Sequence, residues 1–295
     1  MSEPTVGFAL VTFRDVEQAL DLVEVLNVMF GDPPVSLHHD FAQTALDERR
    51  LPGNVRLIPE AFSTGWGTLS TVQAMASTID HLMSGSRSPD WFYLITAHCY
   101  PIKTAAEIRS FLKNTSYDLF MKQSVVFPKE QPHPWDVEMQ GRYVKGFARI
   151  PFRASSGRRM HKYVPMPGIS RPPFSQAFPC RAGTTYYTGN RRAAEELARG
   201  MRDRRLLRWY EKRPIVDESL PQTILGNSGI AIAQDDLRYV EWVDPAKEPG
   251  EPNPRTLDAT HFDRIVGSSG HFARKLMPGR SDELRARIRR EVLGI

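Results

Sequence analysis

The residues best suited to chemistry in this 295-residue chain fall into four small groups. Asp217 and Glu218 open VDESLPQTILGNS, which reads as the start of a helix. Acidic residues there either complement the helix dipole or turn a carboxylate into a cleft, where it can take a proton. Arg274 and Lys275 stand side by side in HFARKL. They either meet a phosphate or carboxylate or stand as a solvated pair before the turn MPGR. His38, His39 and Asp40 end the apolar run SLHHD. Metal ligation is open to these types on paper, but neighbouring strand residues point to opposite faces. Tyr100 and Lys103 follow a further apolar run, where α/β sheets collect their ligands, although a helix-entry lysine is an equally ordinary reading of Lys103.

The elements that must position these groups alternate in type. VGFALVTF reads as a buried strand, and Asp15 then stands where a helix cap would, ahead of Ala19, Leu20, Val23, Leu26 and Phe30 at helical spacing. PVSLHHD, WFYLIT and YDLFMK read as strands, and STVQAMASTIDHLM and AAEIRSFL as helices. Such alternation predicts βαβ units and a mostly parallel sheet. Between Pro128 and Pro179 lie nine of the 23 prolines and little periodicity, so a long loop-rich insertion is expected. Regular structure resumes at TTYYT, followed by Arg-rich helices, strand-like YVEWV and a last amphipathic helix, SDELRARIRREVL. A single domain is expected, divided at 1–126, 127–180 and 181–295.

Composition excludes much. With 41% hydrophobic and 25% charged residues the chain is globular rather than collagenous, coiled or disordered. Nowhere do about 18 apolar residues run together, and no signal peptide is legible. The two cysteines, Cys99 and Cys180, suit neither a disulfide scaffold nor zinc, so a cytoplasmic setting is expected. The commonest ATP, dinucleotide and zinc-protease motifs are missing, and there is no Asp-x-Asp. Charge is uneven. From Gly141 to Arg213 there are 18 Lys and Arg against 4 Asp and Glu, a balance of +14 in a chain whose remainder carries −9. This stretch is either a solvated helix face or a patch that meets polyanions. No nucleic-acid-binding signature accompanies it, so no nucleic-acid partner is expected.

Several segments, in order, resemble the family of the core-2/I-branching β-1,6-N-acetylglucosaminyltransferases and peptide xylosyltransferases. SLHHD is similar to that family's strand ending in His-x-Asp, and GWGTLSTVQAM to its Trp-Gly-x-x-Ser-x-Val-x-Ala segment. LITAHCYPIKT resembles a Leu-Ser/Cys-Gly-x-Asp-aromatic-Pro-Ile/Leu-Lys/Arg-Thr segment. The most specific pair is VDESLPQTILGNS, like Pro-Asp-Glu followed by Thr-Ile/Leu, and HFARKL, like Phe-Ala-Arg/Asn-Lys-Phe.

The resemblance implies a GT-A-like α/β fold, a UDP-sugar donor (N-acetylglucosamine or xylose favoured), and inversion at the anomeric carbon without a metal or other cofactor. It places Glu218 on the catalytic base, Lys275 on the residue that contacts the donor diphosphate, and Asp40 near uracil and ribose. Arg255 falls at the spacing of a second diphosphate arginine, with Arg274 its rival. Trp66 and Ser70 come to the donor side, Trp66 stacking on a sugar or filling the core. A saccharide acceptor would meet Tyr100, Lys103, Trp135, Arg142 and Tyr143. One departure stands out: Ala97, His98 and Cys99 occupy the Gly-x-Asp position, so the acidic residue is missing, and His98 and Cys99 are expected on the acceptor side. The luminal relatives' anchor and disulfides are also missing, which suggests a bacterial-type enzyme of surface polysaccharide synthesis, with an anionic membrane surface as a further partner. The alternative is a catalytically silent nucleotide or saccharide binder on the same fold.

If the basic stretch serves an anionic acceptor or membrane, replacing Arg153, Arg158 and Arg159 by Gln raises the acceptor KM or releases the protein from anionic vesicles, leaving unfolding unchanged. Both properties unaltered and insensitive to salt would mark it as a solvated face.

Overall fold

The computed structural model describes residues 3–126, 134–145, 147–153, 159–165, 171–244, 247–248 and 250–295. The first half runs β1 (Val6–Thr12), α1 (Val16–Phe30), β2 (Val35–His39), β3 (Val55–Leu57), α2 (Leu69–Ser84), β4 (Trp91–Ile95), β5 (Tyr100–Pro101), α3 (Ala105–Asn114), β6 (Leu119–Phe120) and β7 (Gln123–Val125). Then come α4 (Pro134–Met139), β8 (Phe147–Arg153), β9 (Arg159–Pro165), β10 (Arg181–Gly183), β11 (Thr188–Asn190), α5 (Arg191–Gly200), α6 (Arg204–Tyr210) and α7 (Leu220–Gly226). The chain ends with β12 (Ile232–Ala233), β13 (Arg238–Val240), α8 (Phe262–Val266), β14 (Phe272–Arg274) and α9 (Asp282–Ile288).

Seven strands form one sheet in the order β12–β6–β11–β4–β1–β2–β3. It is parallel except at β11, which runs antiparallel to both neighbours. All seven residues of β1 are buried, as a strand covered on both faces requires. Alternation then sends Phe8 and Leu10 into one core and Ala9 and Val11 into the other. The first core takes α1 through Leu22, Leu26 and Phe30, with the Phe8 and Phe30 rings 5.3 Å apart. The second takes α2 through Val72, Met75 and Ile79, together with α5, α6 and α7. The α/β class expected from sequence is the class of the molecule, and β11 and β12, from the second half of the chain, complete the sheet begun by the first.

Two expectations change. The insertion is not loop throughout: α4 lies in it, and β8 and β9 pair antiparallel from Phe147↔Pro165 to Arg153↔Arg159. Arg158 lies outside the described residues. Asp15 does not cap α1: its backbone is left-handed and its side chain makes no cap bond. Among the described residues no helix is long and apolar enough to cross a membrane.

A small second sheet, β13–β14–β5, brings HFARKL against the segment after β4. Leu276 N donates to the His98 carbonyl at 3.0 Å, and Ile102 N to that of His271 at 2.9 Å. On the other side Gly67 meets the segment that carries Glu218. Gly67 has φ of 65°, its carbonyl accepts from Val216 N at 3.1 Å, and an added Cβ would lie 2.8 Å from Ile215 N. That contact is with backbone and has no side chain to yield. Gly67→Ala is therefore expected to lose about 1–3 kcal/mol of stability and to displace the Glu218 turn. Thermal unfolding and kcat measured on the same preparation check this, since wild-type values for both would show that the close approach is dispensable.

Candidate active site

Glu218 ends a short 3-10 turn, Val216–Glu218, just ahead of α7. Ile215, in the left-handed region at φ of 51°, delivers the chain into this turn. Its carbonyl accepts from the buried Tyr143 hydroxyl at 2.7 Å, while Trp209 Nε1 holds the Tyr143 carbonyl at 2.7 Å. Tyr143, expected at the acceptor, thus clamps the turn from behind. Arg142 lies in front: one Nη donates to Glu218 Oε2 at 3.3 Å, and the other pairs with Glu138. Burial, and then the neighbouring Asp217 charge, raise the Glu218 carboxyl to about 7, with Arg142 resisting. A carboxylate with that affinity for protons is suited to general-base work near neutral pH.

Asp217 points the other way. Its Oδ2 accepts from Thr185 Oγ1 at 3.0 Å, its Oδ1 is buried without a hydrogen bond, and burial raises its pKa. Its charge acts on Arg274, the last residue of β14. The Arg274 guanidinium lies 4.2 Å from the Tyr186 ring centroid and donates to Thr96 Oγ1 at 2.9 Å, at the end of β4. Burial opposes its charge, and Tyr186, Cys99 and Asp217 more than offset that penalty. Cys99, standing where the resemblance expects Asp, is fully buried beside this arginine. Asp217, from the turn that carries Glu218, is an acidic group whose charge acts on this arginine.

Lys275 follows. Its Nζ makes no hydrogen bond or ion pair among the described residues. Burial first, then Arg274 and Arg14, push its pKa below the ordinary lysine value, against the pull of Asp15. A half-buried ammonium between two arginines is destabilised until an anion arrives. His98, expected at the acceptor, belongs instead to this cationic group: its Nε2 donates to Asp15 Oδ2 at 2.7 Å. Burial lowers His98 to about 4, so it is neutral at pH 7.

The remaining expected residues separate. Asp40 is buried at the end of β2, and its carboxylate accepts from Ala42 N, Gln43 Nε2, Thr64 N and Thr64 Oγ1 at 2.7–3.1 Å. It fixes the loop that returns toward Trp66. Trp66 is 79% exposed, so it is not core, and Ser70 bonds Thr68 Oγ1 at 2.9 Å at the start of α2. Arg255 is not drawn into the cationic group: it pairs with Glu248 at 2.6 Å and Glu241 at 3.5 Å. Tyr100 is buried, its hydroxyl accepting from Arg289 Nε at 2.9 Å, and Lys103 Nζ donates to the Val266 carbonyl at 3.1 Å. Neither has its polar partner at Glu218. Trp135 packs half-buried against the second core. His38 and His39 are held by Phe62 and by Thr12 and Thr44, and among the described residues no three His, Cys, Asp or Glu groups could hold a metal. Arg14, Thr96, Asp15, Thr185 and Tyr186 were not singled out as site residues by sequence, although Arg14 and Asp15 follow a strand end.

The family model of the Core-2/I-Branching enzyme matches residues 6–266. The chain belongs to this family and is a glycosyltransferase. The match ends before Arg274 and Lys275, which rest on the HFARKL resemblance and the geometry above. No curated protein matches the chain. Among solved structures it is similar to the galactosyltransferase LgtC in complex with donor and acceptor sugar analogs, at 10% identity over 97% of this chain and 93% of that one, with a TM-score of 0.45. An active-site mutant of LgtC gives 11% identity, the same coverage and a TM-score of 0.41. A 4-diphosphocytidyl-2C-methyl-D-erythritol synthase from Anaerococcus prevotii gives 9%, 68% and 78% coverage and 0.32.

Because Arg142 lowers the Glu218 pKa, Arg142→Gln is expected to move the acid limb of the kcat/KM profile to higher pH than in the wild type. Removing the cation also leaves Glu138 uncompensated, and its charge shifts Glu218 in the same direction. An unmoved limb would mean that Glu218 is not the titrating base.

Proposed function

We propose that the protein is an inverting glycosyltransferase that moves a sugar from a UDP-sugar to a hydroxyl of a saccharide acceptor, with side-chain cations in place of a divalent metal. The observation that carries this reading is the continuity from Glu218 through Asp217 to Arg274 and Lys275. In this reading the base and the pair of cations serve the two ends of an in-line displacement at a single carbon.

Glu218, ionised, takes the proton of the acceptor hydroxyl as its oxygen attacks the anomeric carbon. The bond to the diphosphate oxygen breaks as the new glycosidic bond forms, and the proton stays on Glu218 until solvent removes it. Negative charge grows on the leaving diphosphate, where Arg274, held by Thr96 and Tyr186, and the ammonium of Lys275, unpartnered among the described residues, meet it. Arginine adds bidentate geometry to that charge. Arg142, between Glu138 and Glu218, keeps the base partly ionised and faces the side from which the acceptor would enter. UDP-N-acetylglucosamine is favoured as donor over UDP-xylose, and the acceptor is a surface polysaccharide precursor. Both follow the resemblance of the motif segments.

Incubation with a panel of UDP-sugars, following UDP release with and without EDTA, tests donor and metal dependence together. Activity is expected to survive EDTA. Glu218→Gln is expected to lower kcat about 10²–10⁴-fold with UDP binding retained. Strict dependence on manganese or magnesium, or more than about a third of wild-type kcat in Glu218→Gln, would overturn the reading.

A further inference from the structure

Three strand ends converge beside Lys275: β1 contributes Arg14 and Asp15, β4 contributes His98, and β14 contributes Arg274 and Lys275 itself. The convergence is built rather than incidental. Gln18, one turn into α1, donates from Nε2 to the Ala97 carbonyl at 2.7 Å and to the Leu276 carbonyl at 2.8 Å. It thereby ties α1 to the residues flanking His98 and Lys275. Asp15 gives up the capping geometry open to its residue type and takes a left-handed backbone. Its carboxylate is turned onto His98 instead, and Arg14 Nε shares the same oxygen at 3.4 Å. The Arg14 guanidinium also lies over the Phe13 ring, 5.1 Å from its centroid.

We infer that Arg14 is a third cation of the donor-phosphate site, held by Asp15 and Phe13 so that its two Nη groups meet the diphosphate together with Lys275 and Arg274. The Arg14 side chain is anchored at one end and open at the other. Here only Nε is paired among the described residues, and the side chain is 49% exposed. Its charge nonetheless reaches Lys275, which has no hydrogen-bond or ion-pair partner among the described residues. Asp15 is the one carboxylate among the groups that act on Lys275, and it is already shared between His98 and Arg14. Three cations around one shared carboxylate leave positive charge that a diphosphate would neutralise.

This inference rests on the UDP-sugar reading above, and the test separates the two. UDP binding is measured by calorimetry for the wild type, Lys275→Ala, Arg14→Gln and Arg14→Lys, with thermal unfolding as the check on folding. Lys275→Ala is expected to weaken UDP by about 10–150-fold, and Arg14→Gln, more exposed, by about 3–30-fold. Arg14→Lys is expected to recover part of the loss. The Arg14→Gln deficit is expected to shrink between about 0.1 and 1 M NaCl, as the Debye length falls from about 10 to about 3 Å. A Lys275→Ala loss with Arg14→Gln equal to wild type would overturn the role of Arg14 and leave the donor site standing. A deficit that ignores salt would show that Arg14 acts through structure alone. No loss in Lys275→Ala would remove the donor site itself.

Discussion

The site depends on holding the Arg274 guanidinium charged while largely removed from water. Burying an unpaired cation is prohibitively costly, so its partners must arrive from several directions. Thr96 comes from the end of β4, Tyr186 offers a ring face, and Asp217 adds opposite charge from the catalytic turn. Those groups belong to three separate stretches of chain, and meeting Arg274 fixes them relative to one another. Asp217 bonds Thr185 while Glu218, the next residue of the turn, meets Arg142.

The turn needs support from outside because it is short and begins at an Ile with positive φ. Tyr143 bonds the Ile215 carbonyl, Gly67 accepts from Val216, and Ser219 Oγ donates to the Arg181 carbonyl at 2.7 Å. These bonds come from the insertion, from the α2 entry and from β10. Together they explain why a glycine follows Trp66 and why a tyrosine of the insertion is fully buried. Tyr143, which sequence would give to substrate, braces the turn that carries Glu218.

The fold was legible because its strands are covered on both faces and read as apolar runs, while its helices show one apolar stripe. Glu218, Arg274 and Lys275 were legible through segment resemblance, and in the structure Asp217, next to Glu218, acts electrostatically on Arg274. What sequence could not show is the partner of each polar side chain. Asp15 reads as a cap until His98, 83 residues away, takes its carboxylate. Tyr100 stands at a strand end, as ligand residues do, but its hydroxyl is turned to Arg289. Arg255 has the spacing of a phosphate ligand but is held by Glu241 and Glu248. Asp40 has its carboxylate taken up by a loop. In each case the structure supplies a partner that residue type and position alone do not reveal.

The central claim is that one constellation holds base and leaving-group cations at opposite ends. A crystal structure of the protein with UDP tests it most directly. The account predicts the β-phosphate within about 3.2 Å of Lys275 Nζ, with Arg274 beside it and the Glu218 carboxylate facing the open side of that phosphate. UDP bound with its phosphates turned away from Lys275, or at a site that does not include Arg274, would contradict it.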